Sequence, residues 1–471
     1  MCLKSNMKAV ILAGGEGKDM RPLSIGIPKT LIKLLGKPVV CYVIDALISV
    51  GISDIAIVVG NSSMFEHELS EYLSKYDIKL IEQVKPEVEG AILSASNFIS
   101  GSDVFLLAYG DIIAPTKAYE VLLNTYISRS SDAAILITPK VDVETYGVPI
   151  VSNEFTIRSV MEKPEAVSEI EYAVAGAYVL PSKFIDLIEE EGNVIRALND
   201  LSARYTVAAA LWSGWWVDVG FPWDLITASE YLLSELRSSR ISVNADMSPR
   251  AVIQGPVIIG DEAAIDHNAV IKGPVYIGEK TYIGTGALIR NYSSIESECI
   301  VGAYSEISRS VIQPQTSIGR MSFVGDSIVG FKSVIEPGVT ILNVLPSGVE
   351  VSRLYPVKVR GKLLSKLGAI VGNNCRIRAH TVVYAGTIIN SGEIYLGIIQ
   401  FYHFSIRLKR GIVIAVSLVL PREYRILLRR IFSIVVHFIQ FGESSPAFQV
   451  ILNVERSPQK YDRLVYLLFV P

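Results

Sequence analysis

Between Leu12 and Leu23 the chain reads Leu-Ala-Gly-Gly-Glu-Gly-Lys-Asp-Met-Arg-Pro-Leu, so Gly14, Gly15 and Gly17 follow directly on an apolar run. Glycine lets the main chain approach a ligand closely, and successive N–H groups in such a turn can form an anion-binding concavity. A tight turn would need the same residues, and a glycine-rich turn alone is weakly diagnostic. Two lysine-bearing triplets narrow the reading, Pro28-Lys29-Thr30 and then Gly36-Lys37-Pro38. A lysine beside such a turn is either a solvated surface residue or a counter-ion for bound phosphate. Two carboxylates stand next to glycines at the ends of apolar runs, in Tyr109-Gly110-Asp111 and Trp216-Val-Asp218-Val-Gly220. Helix capping is the plain reading for Asp111 and a turn for Asp218.

The elements that must position these residues are legible from periodicity. Short apolar runs alternate with helical patterns over residues 8–240, which predicts a Rossmann-like, doubly wound α/β domain. Strands are expected at Ala9–Leu12, Ile55–Val59, Val104–Ala108 and Ala133–Ile137, each a near-continuous apolar run of the kind buried in parallel sheets. Helices are expected at Val39–Ile48, behind Pro38, and at Phe65–Leu73, where Phe65, Leu69 and Leu73 share a face.

A different period governs residues 241–395. Positions 253, 259, 265, 271, 277, 283, 289, 295, 301 and 307 are all Ile except Val301. A strict spacing of six over ten positions fits no helix face. It predicts a left-handed parallel β-helix of hexapeptide repeats, with one aliphatic pointing inward per side and about eighteen residues per coil. Small residues next to the aliphatics (Gly260, Gly278, Gly284, Gly302) are expected to turn the corners. The phase slips at Gln313-Pro314 and again before Val329. A Lys/Arg-rich stretch at 353–366 interrupts it before it returns at Val371, Ile377, Val383 and Ile389.

Taken in order, these motifs resemble the sugar-1-phosphate nucleotidylyltransferases, in particular the archaeal two-domain type related to the bifunctional uridylyltransferase/acetyltransferases. The resemblance covers residue 8 to about 395. It implies nucleotide contact by Leu12, Ala13, Gly14, Gly15, Gly17, Gln83 and Gly90. It implies Lys29 on the phosphates of a nucleoside triphosphate (NTP), with Lys18 as a neighbouring cation. Tyr146-Gly147-Val148, Glu162-Lys163-Pro164 and Val174-Ala-Gly176-Ala-Tyr178 resemble the sugar-contacting segments, which assigns Gly147, Glu162 and Gly176 to sugar and Lys163 to the sugar phosphate. Asp111 and Asp218 would hold Mg2+, a hard ion that prefers carboxylate and phosphate oxygens. The partners implied are an NTP, a sugar 1-phosphate and further copies of this chain, since such β-helices commonly trimerise.

Departures from the family pattern leave a second reading open, a weak or inactive paralogue that binds a sugar nucleotide or regulates an active subunit. Asp19 stands where the family has an arginine on the triphosphate. The base-recognition loop has become Gln83-Val-Lys-Pro-Glu-Val-Glu-Gly90-Ala91, adding Glu87 and Glu89. Val174 replaces the asparagine that would bond the sugar, and Asn193-Val-Ile-Arg196 replaces an acidic segment. In the β-helix, Arg320 takes the place of the histidine general base of bifunctional relatives. An arginine cannot act as a base at neutral pH, so acetyl transfer is not expected. Asn343, Arg360 and Lys362 fall where substrate-facing residues would be, while His267 and His380 lie in other coils.

Composition sets the outer limits. A net charge of −3 argues against a nucleic-acid binder, and four scattered cysteines without metal-ligand spacing fit a reducing cytoplasm. The N-terminal apolar run is too short for a signal peptide. Residues 396–471 stand apart, with ten Lys and Arg against four acids and no six-residue beat. A membrane-surface amphipathic tail, a helix capping the solenoid and a sequence read out of frame are the three readings of that segment.

Overall fold

The computed structural model describes residues 7–139, 146–162, 172–344, 366–396, 400–408, 411–421, 450–456 and 461–470. Residues up to Glu393 form one compact unit, and Ile394–Pro471 form a second.

The first half of the larger unit is a seven-stranded sheet. Its strands in chain order are β1 (Lys8–Leu12), β2 (Ile55–Val59), β3 (Ile78–Glu82), β4 (Val104–Tyr109), β5 (Ala133–Pro139), β6 (Tyr172–Pro181) and β7 (Val207–Leu211). They lie side by side as β7-β5-β6-β4-β1-β2-β3. All four expected strands are present. The sheet is nevertheless mixed rather than parallel, because β6 runs antiparallel to both β4 and β5. A hairpin, Gly147–Val151 with Ile157–Glu162, precedes β6 where a crossover helix would be needed for a parallel strand. Apolar residues on the two faces of the sheet build two separate cores. The helix expected at Phe65–Leu73 is broken into Ser62–Glu68 and Ser70–Lys75, although Phe65 and Leu69 are buried as their spacing requires.

From Arg240 the chain winds into three parallel sheets of eight, eight and seven short strands, the left-handed parallel β-helix expected from the repeat. Its inward positions are those of the six-residue beat. Ile265, Ile271, Ile277, Ile283, Ile289, Ile295, Val301 and Ile307 are all buried. Ladder partners stand eighteen residues apart at Ile277 and Ile295 but seventeen apart at Ile295 and Ile312, which is the structural form of the phase slip.

Gly260, Gly278, Gly284 and Gly302 follow the inward aliphatics, as expected, and serve the coils through close stacking rather than through left-handed backbone. A Cβ on Gly260 would stand 2.5 Å from the amide nitrogen of Glu279, and one on Gly302 would stand 2.4 Å from that of Arg320. These glycines permit coil-to-coil stacking. The corners are made by residues of positive φ such as Glu262, Asn268, Lys280, Glu298 and Tyr304.

The sheet domain and the β-helix share a third core, in which Met20, Leu23, Ile32, Val219 and Trp223 meet Val311, Ile328 and Ile370. Polar contacts add to it. Arg309 of the β-helix pairs with Glu230 on helix Asp224–Ser234 and with the buried Asp326, and Ser229 donates to the Tyr292 carbonyl at 2.8 Å.

The second unit contains four antiparallel strands in the order Gln400–Leu408, Gly411–Pro421, Tyr461–Val470, Val450–Arg456. Its residues described from 400 onward are strands, while Arg425, Arg429 and Arg430, on which the amphipathic reading of this segment rests, lie outside the described residues. No helix of the described residues is long and apolar enough to cross a membrane.

The inward aliphatics should dominate the stability of the solenoid. Ile289→Ala is expected to cost roughly 2–4 kcal/mol in urea unfolding, whereas Ile300→Ala, at a position 51 % exposed on the same solenoid, should cost about 0.5 kcal/mol or less.

Candidate functional site

The glycine-rich turn is tied down on both sides. Ala13 donates its N–H to Val58, and the Leu12 carbonyl accepts from Gly110, so the turn leaves β1 between the ends of β2 and β4. A Cβ on Gly14 would press on the Gln83 carboxamide, the movable end of that side chain. Gly15 faces open space. Gly17 has φ +62, its carbonyl accepts the Ser24 hydroxyl, and a Cβ on it would stand 2.9 Å from the Lys29 Cβ. The turn therefore leaves room for the lysine that follows it.

Two carboxylates converge on that lysine. After β4, Ile112–Ile113 pairs antiparallel with Val217–Asp218, which sets Asp218 opposite Ile112, and Val219 donates its N–H to the Asp111 carbonyl. Lys29 forms an ion pair with Asp111, with side-chain exposures of 21 % and 17 %. Burial works against the Lys29 ammonium, but Asp111, then Asp218 and Asp19, outweigh it and hold its pKa above the ordinary lysine value. Asp111 is thus no helix cap, and helix Thr116–Ser128 opens at Pro115 without a side-chain cap. Asp224 supports the arrangement from behind, its carboxylate accepting the N–H groups of Gly220 and Phe221 at 3.2 and 2.8 Å. The sequence reading passed over Asp224, although an acid in the first turn of a helix after Pro222-Trp223 is a recognisable signal.

Whether this set suits a divalent cation follows from its donors. No group of three or more His, Cys, Asp or Glu able to hold a metal exists among the described residues. Asp111 and Asp218 offer hard carboxylate oxygens around a point that already attracts a cation, the Lys29 ammonium. Two protein carboxylates, with the remaining positions left to water and substrate oxygens, are the donor set that Mg2+ tolerates. The residues fit.

The expected sugar side is lined by aromatic residues. Gly176 has φ +70 and packs against Ile112 and Tyr109, beside the aspartates. Trp216 donates its indole N–H to the Ala175 carbonyl at 3.0 Å, and Tyr146 meets the Trp216 ring edge-on. Burial pushes the Tyr109 phenol up to about 12, so it stays protonated. Gly147 lies opposite Glu162 in the hairpin, and Glu162 is exposed. Lys163 lies outside the described residues, as do Arg360 and Lys362.

The departures in sequence have visible structural roles. Gln83 donates its amide hydrogens to the carbonyls of Lys85 and Glu87, both at 2.8 Å. A Cβ on Gly90 would collide with the Lys85 carbonyl. Glu89 accepts the Val194 N–H at 2.9 Å, and Asn193 caps helix Val194–Arg204 through the Arg196 N–H. Glu89 is therefore engaged with a helix terminus. Lys18 points into solvent against Glu16, and Asp19 is exposed. In the β-helix, Arg320 and His380 are exposed, His267 pairs with Asp266, and Asn343 donates to Asp326.

Residues 8–235 match the nucleotidyl transferase family, and residues 271–395 match the GMPPB C-terminal domain. The chain is 31 % identical over 412 residues to a bifunctional sugar-1-phosphate nucleotidylyltransferase/acetyltransferase of Sulfurisphaera tokodaii, covering 82 % of this chain and 97 % of the relative. It is 31 % identical to the bifunctional protein GlmU of Methanocaldococcus jannaschii, covering 82 % and 92 %. A mannose-1-phosphate guanylyltransferase of Arabidopsis thaliana is 27 % identical, covering 73 % of this chain and 92 % of the relative.

The seating of Lys29 can be tested at the glycines. Left-handed backbone costs a residue with a Cβ roughly 1–2 kcal/mol, and a methyl on Gly17 also presses on Lys29. Gly17→Ala is expected to lower the melting temperature, while Gly15→Ala, which meets nothing within 4 Å, should leave it unchanged.

Proposed function

The chain belongs to the sugar-1-phosphate nucleotidylyltransferase family, and from that premise we propose that it transfers a nucleotidyl group from an NTP to a hexose or N-acetylhexosamine 1-phosphate. The observation that supports this most directly is the ion pair of Lys29 with Asp111, in the field of Asp218, beside the Gly14–Gly17 turn. An oxygen of the sugar phosphate attacks the α-phosphorus of the NTP, a P–O bond forms, the α–β bridging bond breaks, and pyrophosphate leaves with the bond's electron pair. Little covalent assistance is needed, so positioning and charge neutralisation carry the rate.

The residues divide that work. The turn's N–H groups and Lys29 hold the triphosphate, and Gly17 keeps the Lys29 stem close. Lys163 takes the sugar phosphate, while Gly147, Glu162 and Gly176 shape the sugar side. Asp111 and Asp218 hold Mg2+, which when bound offsets phosphate charge. Exposed Tyr282, Ile300, Tyr304 and Met321 on the β-helix support self-association, and we take a cytoplasmic homotrimer as the assembly.

Asp19 favours the second reading, a weakened catalyst or a sugar-nucleotide-binding paralogue, because it adds negative charge where an arginine would attract phosphate. Its exposure decides the size of the effect. A solvated charge interacts weakly, so repulsion should slow transfer without abolishing it.

Pyrophosphate release measured with each common NTP against glucose, N-acetylglucosamine and mannose 1-phosphates is expected to single out one pair. Chelation of divalent ions should stop it. Asp111→Asn and Asp218→Asn should each lower kcat by about 100-fold or more in protein that still unfolds cooperatively. Asp19→Arg should raise kcat/KM by about tenfold. No release from any pair would refute the transfer reading, and binding of sugar nucleotide without turnover would establish the second one.

A further inference from the structure

The segment from Pro22 to Gly36, which carries Lys29, is gripped at both ends by side chains of one β-helix face. At its start, Asn373 donates to the carbonyls of Leu23 and Ile25 at 2.7 and 3.2 Å, and Ser391 donates to that of Pro22 at 2.8 Å. At its end, the Gln313 carboxamide bonds both main-chain groups of Lys33, accepting the N–H at 3.3 Å and donating to the carbonyl at 2.8 Å. The Glu296 carboxylate accepts the N–H groups of Leu35 and Gly36 at 2.9 and 2.8 Å, and the Ser294 hydroxyl at 2.6 Å. Each of these hydrogen bonds to the segment is to main chain, so each fixes backbone position irrespective of the side chain above it.

Glu296 is the most constrained of these residues. It is 1 % exposed, and a buried carboxylate is costly unless hydrogen-bonded. Its two main-chain donors come from consecutive residues of positive φ, Leu35 at 48° and Gly36 at 86°. A Cβ on Gly36 would collide with the Tyr276 hydroxyl of the β-helix, so the turn is shaped to its partner. Between the two grips, the segment borders a cavity of about 530 Å³ lined by Ile27, Leu31, Gln313, Phe331 and Asn373 among others. Leu23, Leu31 and Ile32 are buried and anchor the segment by packing, and the grips fix its main chain.

We infer that Glu296, Gln313 and Asn373 are positioning residues for nucleotidyl transfer, through which the β-helix sets the reach of Lys29 toward the NTP phosphates. This rests on the reading of Lys29 given above and deepens it. Misplacement of a phosphate-binding group by about 1 Å can cost on the order of 100-fold in rate.

The test compares Glu296→Ala, Glu296→Gln and Gln313→Ala with Glu336→Gln. Glu336 serves as the control because its carboxylate is engaged within the β-helix, by Arg376, Arg378 and the Ala379 N–H. Full-length proteins are assayed for NTP affinity by calorimetry with ATP, UTP, GTP and dTTP in turn, for KM of both substrates, and for amide exchange over residues 22–36. Glu296→Ala and Gln313→Ala should weaken NTP binding about tenfold, leave the KM for sugar phosphate within about twofold, and speed exchange over 22–36. Glu296→Gln retains one acceptor and should fall between. The control should change neither NTP affinity nor that exchange. Unchanged NTP affinity in both alanine variants, equal losses for both substrates, or the same losses in the control would overturn the inference. If Glu296→Ala fails to fold, Gln313→Ala decides. A wild-type protein that binds none of the NTPs refutes the transfer reading together with this inference. NTP binding that is indifferent to Glu296 and Gln313 refutes the inference alone.

Discussion

The site depends on one electrostatic constraint: ionised carboxylates gathered in a partly buried place repel one another unless a cation stands between them. Lys29 meets that condition in this structure, held charged by Asp111, Asp218 and Asp19 against the cost of its burial. The surrounding geometry serves the same convergence. Gly17 leaves room for the lysine stem, the two-residue ladder of Ile112–Ile113 with Val217–Asp218 brings the two aspartate-bearing segments together, and Asp224 fixes the turn behind Asp218. In the proposed function, that gathering of negative charge around one ammonium serves a divalent cation and the phosphates it accompanies.

The β-helix contributes more than a stack of coils. Its regular core makes a rigid wall, and its irregular positions face the sheet domain. The side from Ile307 to Ile312 is one residue short, and Gln313 follows directly on it. Glu296, Asn373 and Ser391 lie on the same sheet of the solenoid or at its corners, all turned to the segment that bears Lys29. The segment that bears Lys29 is thereby held by residues some 260 to 370 positions away in sequence.

Much of this was legible without coordinates, for identifiable reasons. Inward aliphatics at a spacing of six admit one architecture, and every such position from Ile259 to Ile307 is buried. Lys29 and Asp111 were readable because local motifs carry them. The glycines of the coils were picked out as small corner residues, but their part in close stacking was not legible, since a residue needed for stacking and one needed for left-handed backbone look alike in sequence. The antiparallel course of β6 was hidden for a related reason, because strand direction is set by the preceding connection. Lys18 drew attention as a cation near the turn, but the short helix from Lys18 to Met20 aims it at solvent and Glu16. Glu296 gave no signal at all: a buried glutamate in a repeat is visible only once its partners at Leu35 and Gly36 are in place.

The central claim concerns where a divalent ion settles when a nucleotide is bound. Crystals grown with Mn2+ and the preferred NTP, measured at the manganese absorption edge, would locate that ion directly. The account predicts an anomalous peak shared by the carboxylates of Asp111 and Asp218 and a phosphate oxygen, with the Lys29 ammonium turned to the triphosphate. A nucleotide bound with its metal elsewhere, and with Lys29 still closed on Asp111, would contradict it.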